Sequence, residues 1–153
     1  MNRGGMKSTI RDFEGAYNDL ILAVQFNSTN LDAYSNLFAA CDEVGKEEEA
    51  FRYSFKILAL EPDHIPALVN LGFKYQNKEE HEKAIEYFDK AAKINKNEPL
   101  VFSNRSFSKL KIGDLESAKK DIEKSLKLIP SNSYAYKIRA LIAIEQGKTK
   151  EAC

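Results

Sequence analysis

Residues 65–98 read IPALVNLGFKYQNKEEHEKAIEYFDKAAKINKNE. Two apolar stripes run through this stretch at helical spacing. The first holds Leu68, Leu71, Gly72 and Tyr75; the second holds Ala84, Ile85, Phe88, Ala91 and Ala92. Residues three and four apart share one face of a helix, so each stripe predicts an amphipathic helix. Gly72 and Ala84 are small enough to let the two helices approach. Tyr75 and Phe88 are large enough to fill the space that remains. The stretch is a helical hairpin.

The same hairpin recurs to either side. Ala16, Ala50, Ala84, Ala118 and Ala152 are each 34 residues apart. Gly45, Gly113 and Gly147 share a second register, with Glu79 as its exception. Tyr34, Leu68, Phe102 and Tyr136 share a third, and Pro62 and Pro130 close two of the units. A fixed period of this length marks a repeat architecture, in which each unit buries its apolar face only against its neighbours. The pattern predicts helices near 10–26, 32–44, 47–60, 66–78, 81–95, 100–112, 115–129 and 134–146. Prolines stop helices, and the polar run Ser131 to Ser133 can cap the next one. The organisation expected is a flexible segment over 1–9, a half repeat over 10–30, and full repeats over 31–64, 65–98 and 99–132. A second half repeat and tail occupy 133–153.

This order of small and large residues resembles the tetratricopeptide repeat family, whose 34-residue helix–turn–helix units it matches from about Asp12 onward. The resemblance implies an all-α, right-handed α-solenoid. It also implies a protein-interaction scaffold rather than an enzyme. Some residues depart from the family pattern. Phe38 stands in the register of Gly72, so the first hairpin is expected to pack less closely. Arg105 and Arg139 replace a core leucine, and Lys109 replaces a tyrosine. Their aliphatic stems are expected to cover apolar surface while their charges reach water.

Composition narrows the function further. The 153 residues are 43% hydrophobic and 30% charged, with 23 basic and 23 acidic side chains. A neutral chain lacks the electrostatic footprint of a nucleic-acid binder or of a segment drawn to anionic membranes. Cys41 and Cys153 form no disulfide framework, which fits a reducing compartment. No apolar run has the roughly 20 residues needed to cross a bilayer. Together these features give a cytoplasmic expectation, with neither nucleic acid nor membrane as partner. His64 lies in a turn, His81 starts a helix and Cys41 falls on an inward face. None has metal-ligand spacing, and there is no Gly-rich phosphate loop. No catalytic residue, metal site or cofactor is expected. Glu47 to Glu49 and Glu79-Glu80 sit at helix starts, where negative charge suits the macrodipole.

The first helices of such a solenoid line a concave surface. Its sixth places hold Asn36, Asn70, Asn104 and Ile138. An asparagine amide both donates and accepts, so it can pair with the main chain of an extended peptide. The row is similar to the asparagine ladder of the O-linked N-acetylglucosamine transferases. Beside it stand Phe73, Phe107 and Leu141, with Ala39, at the ninth places. Val69 occupies a fifth place, and Leu100 and Tyr134 occupy second places. Exposed apolar strips of this kind mark binding sites. The partner expected is a protein or extended peptide with apolar anchors. The carboxylate clamp of co-chaperone repeats would need lysine, asparagine and arginine at five places. In one frame those places hold Val69, Phe73, Asn104, Tyr134 and Ile138. In the other they hold Ser35, Ala39, Asn70, Leu100 and Asn104. Only the central asparagine fits, and a groove without cations does not offset the desolvation of a carboxylate.

Two alternatives stand beside the scaffold. One is weak self-association through the terminal helices. The first of these carries Phe13, Ala16, Leu20, Ala23 and Val24; the last carries Ile138, Leu141, Ile142 and Ile144. The other is a recruiting arm of a larger enzyme.

Overall fold

A computed structural model of the chain describes the backbone of residues 3–151 and the side chains of residues 14–148. Among the described residues eight helices follow one another: α1 (Arg3–Phe26), α2 (Leu31–Glu43), α3 (Glu47–Leu60), α4 (Ile65–Asn77), α5 (His81–Ile94), α6 (Pro99–Lys111), α7 (Leu115–Leu128) and α8 (Ser133–Glu151). The described residues contain no strand. The fold is an all-α helical-repeat solenoid. No helix among the described residues is long and apolar enough to cross a membrane.

The six inner helices lie within a residue of their expected bounds, because the sequence punctuates them. Asn30 and Asn132 are one register apart by three periods. Each accepts a hydrogen bond through Oδ1, from the Ala33 and Ala135 amides respectively. His64, in the same register, does this through Nδ1 to the Ala67 amide at 3.2 Å. Each therefore satisfies an amide that a helix start leaves without a partner. At the hairpin turns Gly45 (φ 73°), Glu79 (φ 60°) and Gly113 (φ 83°) all take the left-handed conformation.

The outer helices are longer than expected. α1 starts at Arg3, so residues 3–9 of the segment expected to be flexible are helical. Gly147, in register with the turn glycines, is helical, and α8 runs through it to Glu151. Glycine permits a left-handed turn without enforcing one. The side chain of Phe13 lies outside the described residues.

The chain forms two compact units, 1–67 and 68–153. In the first, Tyr34, Leu37, Cys41, Ala50 and Ile57 form the core, with Phe38 half-buried against it. Tyr17 donates its hydroxyl to Glu49, and the Lys46 ammonium lies 3.8 Å from the Tyr17 ring centre. Burial, with the nearby Glu49 charge, pushes the Cys41 thiol up to about 11, in keeping with its place in the core.

In the second unit, Gly72 faces Phe88 so closely that a Cβ there would lie 2.6 Å from the ring. Ala84 and Phe88 are fully buried. Tyr75 and Tyr87 stack with ring centres 5.5 Å apart. One repeat later the same three places as Leu71, Tyr75 and Tyr87 hold Arg105, Lys109 and Asp121. The charges of Arg105 and Lys109, expected to reach water, are instead paired, and their side chains are only 15% and 16% exposed. Arg105 Nη2 donates to Asp121 at 2.5 Å, Arg105 Nη1 to Asp89 at 2.8 Å, and Lys109 to Asp121 at 2.8 Å. The side chain of Asp121 is 7% exposed. Burial opposes the Arg105 charge, but the hydrogen bonds and charge of Asp121, then Asp89, outweigh it and raise its pKa. An aromatic pair in one repeat has become an ionic cluster in the next.

Candidate binding groove

Phe73 on α4, Phe107 on α6 and Leu141 on α8 occupy the same place in successive repeats, and all belong to the second unit. They line one pocket of about 400 Å³ together with Gln76, His81, Tyr134 and Ile138; Asn77, Glu79, Lys111 and Lys137 complete its rim. Phe107 and Leu141 also line a neighbouring recess of about 510 Å³ with Leu110 and Leu115. Phe73, Tyr134 and Leu141 remain 42%, 39% and 38% exposed, so large apolar side chains stay open to solvent at this surface. Volumes of this order suit one or two side chains of a ligand.

Polar groups fix the walls. Gln76 is buried and donates through Nε2 to the Asn104 carbonyl at 3.0 Å and to Ser108 Oγ at 2.9 Å. These two bonds pin α4 against α6. The His81 ring lies edge-on to Phe107, with centres 6.1 Å apart. Burial, then the Lys111 charge, lowers its pKa, which favours the neutral ring. The Lys111 ammonium sits 5.4 Å from the centre of the Phe107 ring. Among the described residues no group of His, Cys, Asp and Glu side chains could hold a metal ion. The chemistry on offer is burial of apolar groups beside a few fixed dipoles.

The other expected groove residues are placed differently. Val69 and Asn70 are half-buried, and Leu100 is 55% exposed but outside the pocket lining. Asn36 is exposed and belongs to the first unit. Asn104, expected on the concave surface, is instead 2% exposed. It donates Nδ2 to the Leu100 carbonyl of its own helix at 2.8 Å, and its Oδ1 has no partner. What sets Asn104 apart from the exposed Asn36 and the half-buried Asn70 is this burial. Gln76 follows Phe73 by three residues on α4 and so shares its side of the helix, a position that helical spacing makes available. His81, Lys111 and Lys137 border the pocket from helix ends and flanks, where a register count alone gives no signal.

Comparison with known proteins agrees with this architecture. Residues 65–98 and 102–132 each match the tetratricopeptide repeat family. Human Tetratricopeptide repeat protein 6 is 28% identical over 122 residues, covering 78% of this chain and 24% of that protein. The chain spans about a quarter to a third of the length of the curated relatives it matches. The crystal structure of MamA superposes with a TM-score of 0.83 at 22% identity, over 99% of this chain and 89% of that one. The first TPR of Spaghetti, solved bound to the HSP90 peptide SRMEEVD, superposes with a TM-score of 0.70 at 22% identity, over 78% of this chain and 96% of that one.

Proposed function

We propose that the chain, whose residues 65–98 and 102–132 match the tetratricopeptide repeat family, is a non-enzymatic, cytoplasmic scaffold that binds an extended peptide or protein segment through apolar anchors. The observation that carries this reading is the pocket of about 400 Å³ with Phe73, Phe107, Tyr134 and Leu141 around it. Aromatic side chains held open at a concave surface are what hot-spot recognition uses. Val69, Asn70 and Leu100 extend the contact surface along α4 and α6.

The peptide bound by the first TPR of Spaghetti, SRMEEVD, carries three acidic residues among its last four. Here the corresponding clamp places hold Val69, Phe73, Tyr134 and Ile138, which supports an apolar anchor in place of a carboxylate. A random-peptide library displayed against the full chain tests the reading. Selected peptides should share an aromatic or aliphatic anchor. Their affinity should fall at least about tenfold for Phe73→Ala with Phe107→Ala, the loss of roughly 1.4 kcal/mol or more that a buried anchor provides. Selected peptides that bind this folded double variant normally would refute the groove as the binding surface.

A further inference from the structure

In the complete repeats α4–α5 and α6–α7, four places on the first helix are buried or half-buried. Leu68, Leu71 and Gly72 on α4 are buried, as are Phe102 and Ser106 on α6. On α8 the same register holds Tyr136, Arg139, Ala140 and Ala143, and all four are exposed. The converse holds for α1. Ala50, Ala84 and Ala118 are fully buried on their second helices, whereas Ala16 in their register is exposed. Leu20, in register with the buried Phe88 and Ile122, is only half-buried. Among the described residues, α8 therefore presents an exposed first-helix face and α1 an exposed second-helix face.

The charges match as well. Arg105 and Asp121 form the buried pair of the third repeat. One period after Arg105 stands Arg139 on α8; three periods before Asp121 stands Asp19 on α1. Both are exposed. The small residue at the place of closest approach is also retained on both sides, as Ala140 and Ala16. We propose that α8 of one copy receives α1 of a second copy, and that the two helices complete a repeat in which Arg139 pairs with Asp19 as Arg105 pairs with Asp121. The contact is heterologous, so it closes into a ring or continues from copy to copy.

Sedimentation of the full chain from the micromolar to the millimolar range tests this. The mean mass should rise with concentration. Amide resonances that move with concentration should cluster on α1 and α8. Arg139→Asp and Asp19→Arg should each weaken association at least about tenfold, since each places like charges together. An equimolar mixture of the two variants should associate again, because each restores the opposite pair for the other. A wild-type chain that stays monomeric throughout overturns the proposal. So does a single variant that associates normally, or a mixture that does not recover. Association broken by Arg139→Asp but indifferent to Asp19→Arg would point to a symmetric α8 pair and overturn it equally.

Discussion

At Gly72 the absence of one carbon sets how closely two helices meet. A Cβ there would lie 2.6 Å from Phe88 Cε1, and the ring is fully buried, so neither side has room to move. Gly72→Ala should destabilise the fold by about 1–3 kcal/mol, the usual cost of overpacking. Combining it with Phe88→Leu should cost less than the two changes summed, because they share one contact. Denaturant midpoints at constant slope measure both effects; strict additivity would mean the ring is not what the new carbon meets. Glu79 is the opposite case, a side chain at φ 60° where its sister turns have glycine. Glu79→Gly should stabilise by up to about 1 kcal/mol, since the left-handed conformation penalises a Cβ. His81 gives a pH-dependent term. Its pKa is lowered in the folded state, chiefly by burial. The stability it contributes is therefore present above its unfolded value of 6.5 and is lost as pH falls below that. His81→Gln should flatten the decline in denaturation midpoint on acidifying from pH 7 to about pH 5; an unchanged decline would assign it to other groups.

Pairs of helices differ in how they fill the same space. Between α4 and α5 the places are Leu71, Tyr75 and Tyr87; between α6 and α7 they are Arg105, Lys109 and Asp121. Asp121 accepts from two cations and is almost inaccessible. Removing it would leave Arg105 and Lys109 without their shared counter-charge. Asp121→Ala should therefore cost about 3–5 kcal/mol. Replacing the whole set with that of the preceding repeat, Arg105→Leu, Lys109→Tyr and Asp121→Tyr, should bring stability back to near or above wild type, because packed apolar groups do without the desolvation of three charges. Thermal unfolding of the two variants separates the outcomes: a triple variant as unstable as Asp121→Ala would show that the ionic cluster is specifically required. The sequence showed Arg105 and Lys109 as departures but not their partner. Asp121 lies 16 residues from Arg105 and looks like any exposed acid on a charged helix. Only the register, which aligns it with Tyr87, reveals that it faces inward.

For the molecule as a whole, the period of 34 residues made the fold legible, because each unit repeats the same burial and the same turn. The boundaries of the inner helices followed from caps and prolines. The outer bounds did not: in α8, Gly147 has the identity of a turn glycine without adopting the turn. The pocket that Phe73, Phe107 and Leu141 share was legible, because one register aligns them. The asparagine row was less so. Residue type suggested display, while Asn104 is enclosed by its own helix and by Gln76 from α4. Composition now bears on recognition itself. The chain carries no net charge, and the pocket rim sets Lys111 and Lys137 against Glu79. Affinity in the proposed groove should come from burying apolar surface, which salt does not screen, whereas contacts between exposed charges weaken beyond a Debye length of roughly 10 Å at 0.1 M. A peptide selected on the chain should therefore keep its affinity within about threefold between low and high salt, a change under 1 kcal/mol. Lys119→Ala with Lys120→Ala, on the exposed face of α7, should change it no more than that. Titrations at several ionic strengths decide the matter. A steep loss with salt that Phe73→Ala and Phe107→Ala do not reproduce would move recognition from the apolar pocket to the lysines of the surface.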